Sequence, residues 1–137
     1  LADLEQNKVR KARIYFKMAE NYRKRNNKSQ ARSYYNKNIE LNPSHGLSYL
    51  RIAALYADSA NDCGTTAFEK RAVYWKAAEM ASRAAAVDAT IAKTANATAE
   101  SYMQRAPSRT DIHNDGMGGK VIQLKCWIGG SITVPQL

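Results

Sequence analysis

The sequence predicts an all-α fold, an α-α superhelix of helical hairpins with a small β-hairpin at its C-terminus. Three observations lead to this prediction. Apolar and aromatic residues recur with a helical period of about 3.6 residues between Ala12 and His45. The same pattern returns at an offset of 34 residues. Beyond Pro107 the helical period is lost, and the last residues have the composition of short β-strands.

The first unit of the predicted superhelix is a pair of helices over 12–45. Its first helix carries a stripe of residues at i, i+3, i+4 and i+7: Tyr15, Met18, Ala19 and Tyr22. Turn formers follow from Asn26 onward, and Ser29 is predicted to cap the second helix. That helix ends at Asn42-Pro43, because proline disfavours helical geometry in the preceding residue.

The second unit, over 46–91, restates the first stripe 34 residues later with Tyr49, Ile52, Ala53 and Tyr56. Its second helix is predicted to be enlarged. Thr65 or Thr66 is predicted to cap this helix, with Thr66 and Glu69 in a capping-box pattern, and the helix runs to about Val87. We expect the additional length to pack against the C-terminal tail through three aromatic residues: Phe68, Tyr74 and Trp75.

The helical domain is predicted over residues 1–106 and ends with a half unit over 92–106. The remaining segment, 107–137, is predicted to be a polar linker followed by a hairpin. The hairpin has a tight turn at Gly129-Gly130 between two predicted strands: Val121–Ile128 and Ser131–Val134. An isolated hairpin is marginally stable in water, so we expect it to dock on the helices through Trp127.

The paired helices resemble the tetratricopeptide repeat (TPR) family, whose unit is 34 residues long. The family's pattern of large, small and aromatic residues is matched here by Tyr15, Met18, Ala19, Tyr22, Ala31, Tyr35 and Pro43. Asn38 departs from it, at a position where the family has a small residue. The chain also resembles the C-terminal region of bacterial TPR proteins, most distinctively at Cys126-Trp127-Ile128. This resemblance implies a protein that is not an enzyme, and it favours the bacterial cell envelope or periplasm.

In TPR proteins the first helices of successive repeats line a concave groove, so the resemblance implies a partner-binding groove. Its positions in this chain are Arg13, Phe16, Lys17, Glu20, Leu47, Leu50, Arg51, Lys93, Asn96 and Glu100. The set with which some members clamp a terminal carboxylate is matched only at Lys93, so this clamp is not expected. The implied function is that of a protein-protein interaction or scaffold module, and the basic groove residues favour an acidic protein or peptide as partner.

The net charge of +9 supports an alternative function. Residues 1–41 contain eleven Lys or Arg against four Asp or Glu, so most of the charge lies on the first helical pair. Such a face attracts nucleic acid or another polyanion, with an affinity that falls steeply with salt. A solvated surface that uses Lys and Arg as helix formers has the same composition. A third interpretation is a capping module whose hairpin edge pairs with another chain.

The sequence gives no indication of catalytic, metal or cofactor chemistry. Cys63 and Cys126 have no CxxC spacing, so we expect ordinary thiols, with one bridge permitted if the protein is exported. We expect His45 and His113 to be solvated turn residues. No phosphate-binding loop follows a strand, and no serine or threonine has a base at a suitable spacing.

No apolar run approaches the roughly 20 residues that a membrane-spanning helix needs. The chain begins with Leu1 rather than methionine, and we interpret it as a processed product or a piece of a longer chain. The identity of the partner and the oligomeric state are left open by the sequence.

Overall fold

The computed structural model describes residues 2–137, with side chains from Leu4 onward, and shows a mostly helical chain that ends in a two-stranded antiparallel sheet. A helical fold with a C-terminal hairpin is thereby confirmed. The described helices are α1 (Ala2–Lys24), α2 (Lys28–Leu41), α3 (Gly46–Asp58), α4 (Ala67–Val87), α5 (Ala92–Arg105) and α6 (Arg109–Asn114). The strands are β1 (Val121–Gln123) and β2 (Ser131–Thr133). Leu1, which prompted the interpretation of a processed chain, lies outside the described residues.

Two asparagines set the turn between α1 and α2. Asn26 has a left-handed backbone conformation, with φ of 61°. It ends α1 and allows the Asn27 N–H to donate to the Tyr22 carbonyl at 2.9 Å. The Asn27 side chain then caps α2 by accepting a hydrogen bond from the Gln30 N–H at 3.3 Å. The prediction that Ser29 caps α2 is therefore wrong. Because the left-handed Asn26 ends α1, α2 begins earlier than predicted, with Asn27 as its cap.

Alanines are buried where the helices pack together. Ala19 of α1 and Ala31 of α2 are fully buried, and Tyr35 fills the space beside them. Ala53 of α3 and Ala81 of α4 are fully buried in the second pair. A methyl side chain allows two helix backbones to approach closely, so the aromatic residues can pack around the contact instead of within it.

The start of α3 lies against the end of α4. The Gly46 N–H donates to the Asp88 carboxylate at 3.0 Å. A Cβ atom at Gly46 would lie only 2.6 Å from the Cβ atom of Asp88 and 2.6 Å from a methyl group of Ile91. Glycine is therefore required for this close approach, which fixes how α3 and α4 pack.

Helix α4 begins with the predicted capping box. The Thr66 hydroxyl accepts from the Glu69 N–H at 3.0 Å, and the Glu69 carboxylate accepts from the Thr66 N–H at 3.3 Å. The helix continues to Val87, as predicted. Its first half buries Phe68 and Val73 against the C-terminal segment, which confirms that the enlarged helix is the packing site of the tail.

The C-terminal segment forms a wall over α4. The strands pair with Ile122 opposite Ile132, and both side chains are buried in the cluster that contains Phe68 and Val73. Because successive side chains of a strand alternate between its faces, the neighbouring residues of each strand are exposed. The hairpin is thus amphipathic, with its apolar face on α4.

Two details of the predicted C-terminal segment are wrong. The polar linker contains a helix, α6, which starts with a capping box between Ser108 and Asp111. The strands are shorter than predicted and are joined by residues 124–130 rather than by Gly129-Gly130 alone. The chain leaves the ladder after Leu124, whose N–H donates to the Gly130 carbonyl at 2.9 Å. This longer loop brings Cys126 and Trp127 to the helices.

Trp127 anchors the loop, as expected from the sequence. Its indole N–H donates to the Ser59 hydroxyl at 2.8 Å, and its ring lies 5.7 Å from that of Tyr56. The Arg32 guanidinium donates to the Trp127 and Ile128 carbonyls at 3.1 and 2.7 Å. It also lies over the Trp127 ring, 4.9 Å from the centroid. The loop is therefore fastened to α2 and to the end of α3.

A disulfide joins Cys63, between α3 and α4, to Cys126 of the same loop, with a Cα–Cα distance of 5.0 Å. The expectation of two ordinary thiols is wrong. The two cysteines are 63 residues apart, and only the docking of the hairpin loop brings them together. Spacing along the chain carries no signal for such a bridge.

Candidate functional site

A cavity of about 500 Å³ lies beside α1, where the end of α2 and the start of α3 meet it. Its size is within the range of 300–1,000 Å³ that is usual for ligand sites. Three of the predicted groove residues line it, namely Arg13, Phe16 and Lys17. We call it the α1 cavity.

One wall of the α1 cavity is apolar. Val9, Ala12 and Phe16 follow one another at intervals of three and four residues, so they lie on one face of α1. Leu41, the last residue of α2, closes this wall. Val9 is 51% exposed, whereas Ala12 is buried. The wall therefore offers uncovered hydrophobic surface at its outer end and packed surface at its inner end.

The floor of the cavity is a buried hydrogen-bond network around Asn38. The Asn38 amide nitrogen donates to the Ala12 carbonyl at 2.8 Å. Its amide oxygen accepts from the Ser48 hydroxyl at 2.7 Å and lies 2.9 Å from Nδ1 of His45. The network joins α1, α2 and α3, and Asn38 is only 3% exposed. This explains why the position holds a polar residue where the repeat pattern has a small one.

His45 stands in the turn before α3 and borders the cavity. Its ring meets that of Phe16 edge-on, with 5.0 Å between centroids. Asn38 Oδ1 and the Ser48 hydroxyl both lie 2.9 Å from His45 Nδ1, so this ring nitrogen belongs to the buried polar network. Burial lowers the pKa of His45, and the nearby Asp88 carboxylate opposes this only in part. Burial therefore favours the neutral form of the ring.

Basic side chains surround the cavity. Lys8, Arg13 and Lys17 line it and are exposed. Among the described residues, none of the three forms a salt bridge. Glu5 is the acidic residue of the lining. The cavity therefore has a positive rim that the fold itself does not neutralise.

Glu20, one helical turn after Lys17 on α1, forms hydrogen bonds with other side chains of the fold. Its carboxylate accepts from the Tyr35 hydroxyl at 2.5 Å, from Arg23 at 2.7 Å and from Arg51 at 2.9 Å. Burial acts to raise the pKa of the Glu20 carboxyl, but the bonds from Arg23 and Tyr35 and the charge of Arg51 outweigh it and lower the pKa. Glu20 and Arg51 thus connect α1 to α3, and their charges are largely satisfied by each other.

The other predicted groove residues do not reach the α1 cavity. Leu47 and Leu50 are half-buried on α3, and Leu50 packs on the alanine cluster that contains Ala53 and Ala81. Lys93 lines a separate surface depression on α5. The remaining two are exposed on α5: Asn96 and Glu100. The structure therefore gathers the three α1 residues into one site and leaves the α5 residues apart from it.

The α2–α3 connection contributes to the lining of the α1 cavity, which the sequence did not predict. The prediction of His45 as a solvated turn residue is wrong. The His45 side chain is partly buried, because α1 packs over it and places Phe16 against its ring. The departure of Asn38 from the repeat pattern was the one signal that could have located the polar floor. His113, the other histidine, is exposed at the end of α6.

Within residues 2–137 there is no group of three or more His, Cys, Asp or Glu side chains that could hold a metal ion. None of the described helices has both the length and the apolar composition required to cross a membrane. Comparison of the chain with protein families, with characterised proteins and with solved structures gives no significant match.

Proposed function

We propose that this chain is a non-enzymatic protein-protein interaction module that binds a segment of a partner protein on the surface formed by α1, α3 and α5. The α1 cavity carries the proposal, because it combines uncovered apolar surface with cations that have no partner within the described residues. Its remaining polar groups support binding rather than chemistry. Ser48 lies 2.9 Å from Nδ1 of His45, but it is fully buried and its hydroxyl donates to Asn38, so a substrate would not reach it.

A relationship to TPR proteins is part of the same proposal. It is supported by two successive helix pairs whose small residues are buried in corresponding positions: Ala19 and Ala31 in the first pair, Ala53 and Ala77 in the second. In such arrays the first helix of each pair contributes to a common binding surface. The contact between Glu20 of α1 and Arg51 of α3 supports this side-by-side placement.

The disulfide supports an oxidising compartment as the place of action, which agrees with the proposed cell-envelope or periplasmic location. Bridges persist outside the cytosol, where thiols are not continuously reduced. Cys63 is 6% exposed, so the bond is shielded on that side.

Site-specific photo-crosslinking tests the proposed function. A photoreactive amino acid would replace Leu47, which is half-buried on α3, in cells that produce the chain natively. A matched control would place it at Arg83, which is exposed on α4. We expect discrete protein adducts from position 47 that resist nuclease and are absent from position 83, followed by binding of the purified partner. Equal adducts from both positions would contradict the proposal.

The exposed basic residues of α1, α2 and the turn between them favour polyanion binding as the second candidate. They extend well beyond the cavity: Lys8, Arg10, Lys11, Arg13, Lys17, Lys24, Arg25 and Lys37. The distinguishing measurement is the salt dependence of binding to a single-stranded oligonucleotide. A steep loss of affinity between low salt and about 0.5 M, with no preference for sequence, would support this candidate.

A further inference from the structure

The apolar wall of the α1 cavity has the dimensions and composition to hold one large aliphatic or aromatic side chain. Val9, Phe16 and Leu41 contribute hydrocarbon surface, and the half-exposed Val9 remains accessible from outside. Burying such a side chain releases about 1.5–3 kcal/mol of transfer free energy, which is enough to anchor a short peptide segment. No described segment of this chain occupies the space.

The cations are arranged around that wall. Arg13 and Lys17 are four residues apart and therefore lie one above the other beside Phe16. Lys8 lies about one turn further toward the start of α1, beside Val9. An apolar side chain in the cavity would therefore have positive charge on both sides along the helix, and its chain neighbours would meet these charges.

We propose, on the basis of the interaction function inferred above, that the α1 cavity binds an apolar side chain of a partner peptide whose neighbouring residues are Asp or Glu. The apolar side chain supplies buried area, and the flanking carboxylates pair with Lys8, Arg13 and Lys17. The bidentate geometry of the Arg13 guanidinium suits a carboxylate.

The lining favours an acidic peptide over a nucleic acid. Unspecific binding of single strands relies on exposed aromatic faces on which bases stack. Phe16, the aromatic residue of the wall, is half-buried and packed edge-on against His45. The Glu5 carboxylate at the outer end would repel a continuous phosphate backbone, whereas a peptide can place its acids selectively.

The test uses the intact disulfide-bonded chain and short fluorescein-labelled peptides in fluorescence anisotropy at about 0.1 M salt. The first peptide is rich in Asp and Glu around a single central Leu. The second replaces that Leu by Ser, and the third replaces the acids by Gln and Asn. We expect the first to bind at least tenfold more tightly than either of the others, since each lacks one of the two interactions.

Variants of the protein assign the binding to the cavity. The double variant Arg13→Glu, Lys17→Glu changes two exposed side chains and should weaken binding of the first peptide about tenfold. The matched control Arg109→Glu, Lys120→Glu makes the same change in net charge elsewhere on the surface and should leave affinity nearly unchanged. Circular dichroism of each variant checks that the fold is retained.

Three results would overturn the proposal. Equal binding of the Leu and Ser peptides would show that no side chain enters the cavity. Equal weakening by the two double variants would show that only net charge matters. Competition by an oligonucleotide of equal charge would point to polyanion binding instead. If position 47 still crosslinks a partner while the double cavity variant binds it normally, the interaction function stands and the cavity assignment fails.

Discussion

The C-terminal segment covers the first half of α4, whereas the described residues leave a cavity open beside α1. On the α4 side, apolar side chains from the hairpin and α6 fill the contact, and a disulfide and Trp127 fix the loop. On the α1 side, a polar network forms the floor and three cations surround the opening. One region is arranged as a core, and the other as a surface that remains available.

This difference indicates which side of the molecule contributes most to stability and which side is available for binding. Hydrophobic burial is the main favourable contribution to folding, so removing contacts over α4 should lower stability most. Buried polar groups contribute less and are retained where they position something. The α1 side therefore combines the smaller stabilising contribution with the greater capacity for binding, and substitutions on the two sides should separate these properties.

Loss of the disulfide should have the largest effect. Replacing both Cys63 and Cys126 by Ala opens a loop of 63 residues in the native chain and should lower the free energy of unfolding by about 4 kcal/mol. Urea titrations of the wild-type and double-variant chains, each with and without reductant, measure the change. Reductant should lower the midpoint of the wild type only. An unchanged wild-type midpoint would mean that the two thiols are not paired.

Removal of the Trp127 side chain should come next. Trp127→Ala loses the ring contact with Tyr56 and leaves the buried Ser59 hydroxyl without its indole donor, at a cost of about 3 kcal/mol. Trp127→Phe keeps part of the packing and should lose less. Met103→Ala, at a residue that is 51% exposed, serves as a control with little change in stability. If both Trp127 variants matched this control, the loop would not be anchored by the ring.

On the α1 side, Asn38→Ala should destabilise the fold by about 2 kcal/mol, although alanine is the residue that the repeat pattern favours at this position. The substitution removes the amide that bonds both the Ala12 carbonyl and the Ser48 hydroxyl in a buried place. Chemical denaturation measures the cost. A variant as stable as the wild type would show that the network does not hold α1, α2 and α3 together.

Local features of the fold could be predicted from sequence because their causes are close in the chain. The Thr66–Glu69 capping box, the end of α4 at Val87 and the burial of Ala19 all depend on residues within a few turns. The length of the strands was overestimated, because the loop after Leu124 is held by groups far away in sequence.

The candidate site was predicted only in part, for the same reason. The register of α1 predicts Phe16 on the groove side, and it lines the α1 cavity, but the exposure of a turn residue such as His45 depends on the helix that packs over it. The sequence does not distinguish Arg51 from Lys17, because both are basic residues at predicted groove positions. Only the structure shows that Arg51 is paired with Glu20, while Lys17 forms no salt bridge in the described part of the chain.

The smallest predicted effect concerns pH and the Glu20 contact between α1 and α3. Because the pKa of Glu20 is lowered in the folded chain, its ionised form stabilises the fold above the ordinary value of 4.5, and this contribution is lost as the pH falls through the folded pKa. Glu20→Gln should therefore cost about 1 kcal/mol at neutral pH and much less at an acidic pH below the folded pKa. Glu79→Gln, in an exposed pair with Arg83, should change stability little at either pH. Urea unfolding of the three proteins at both pH values separates these outcomes, and a Glu20→Gln cost that did not shrink in acid would show that the carboxylate charge does not stabilise this contact.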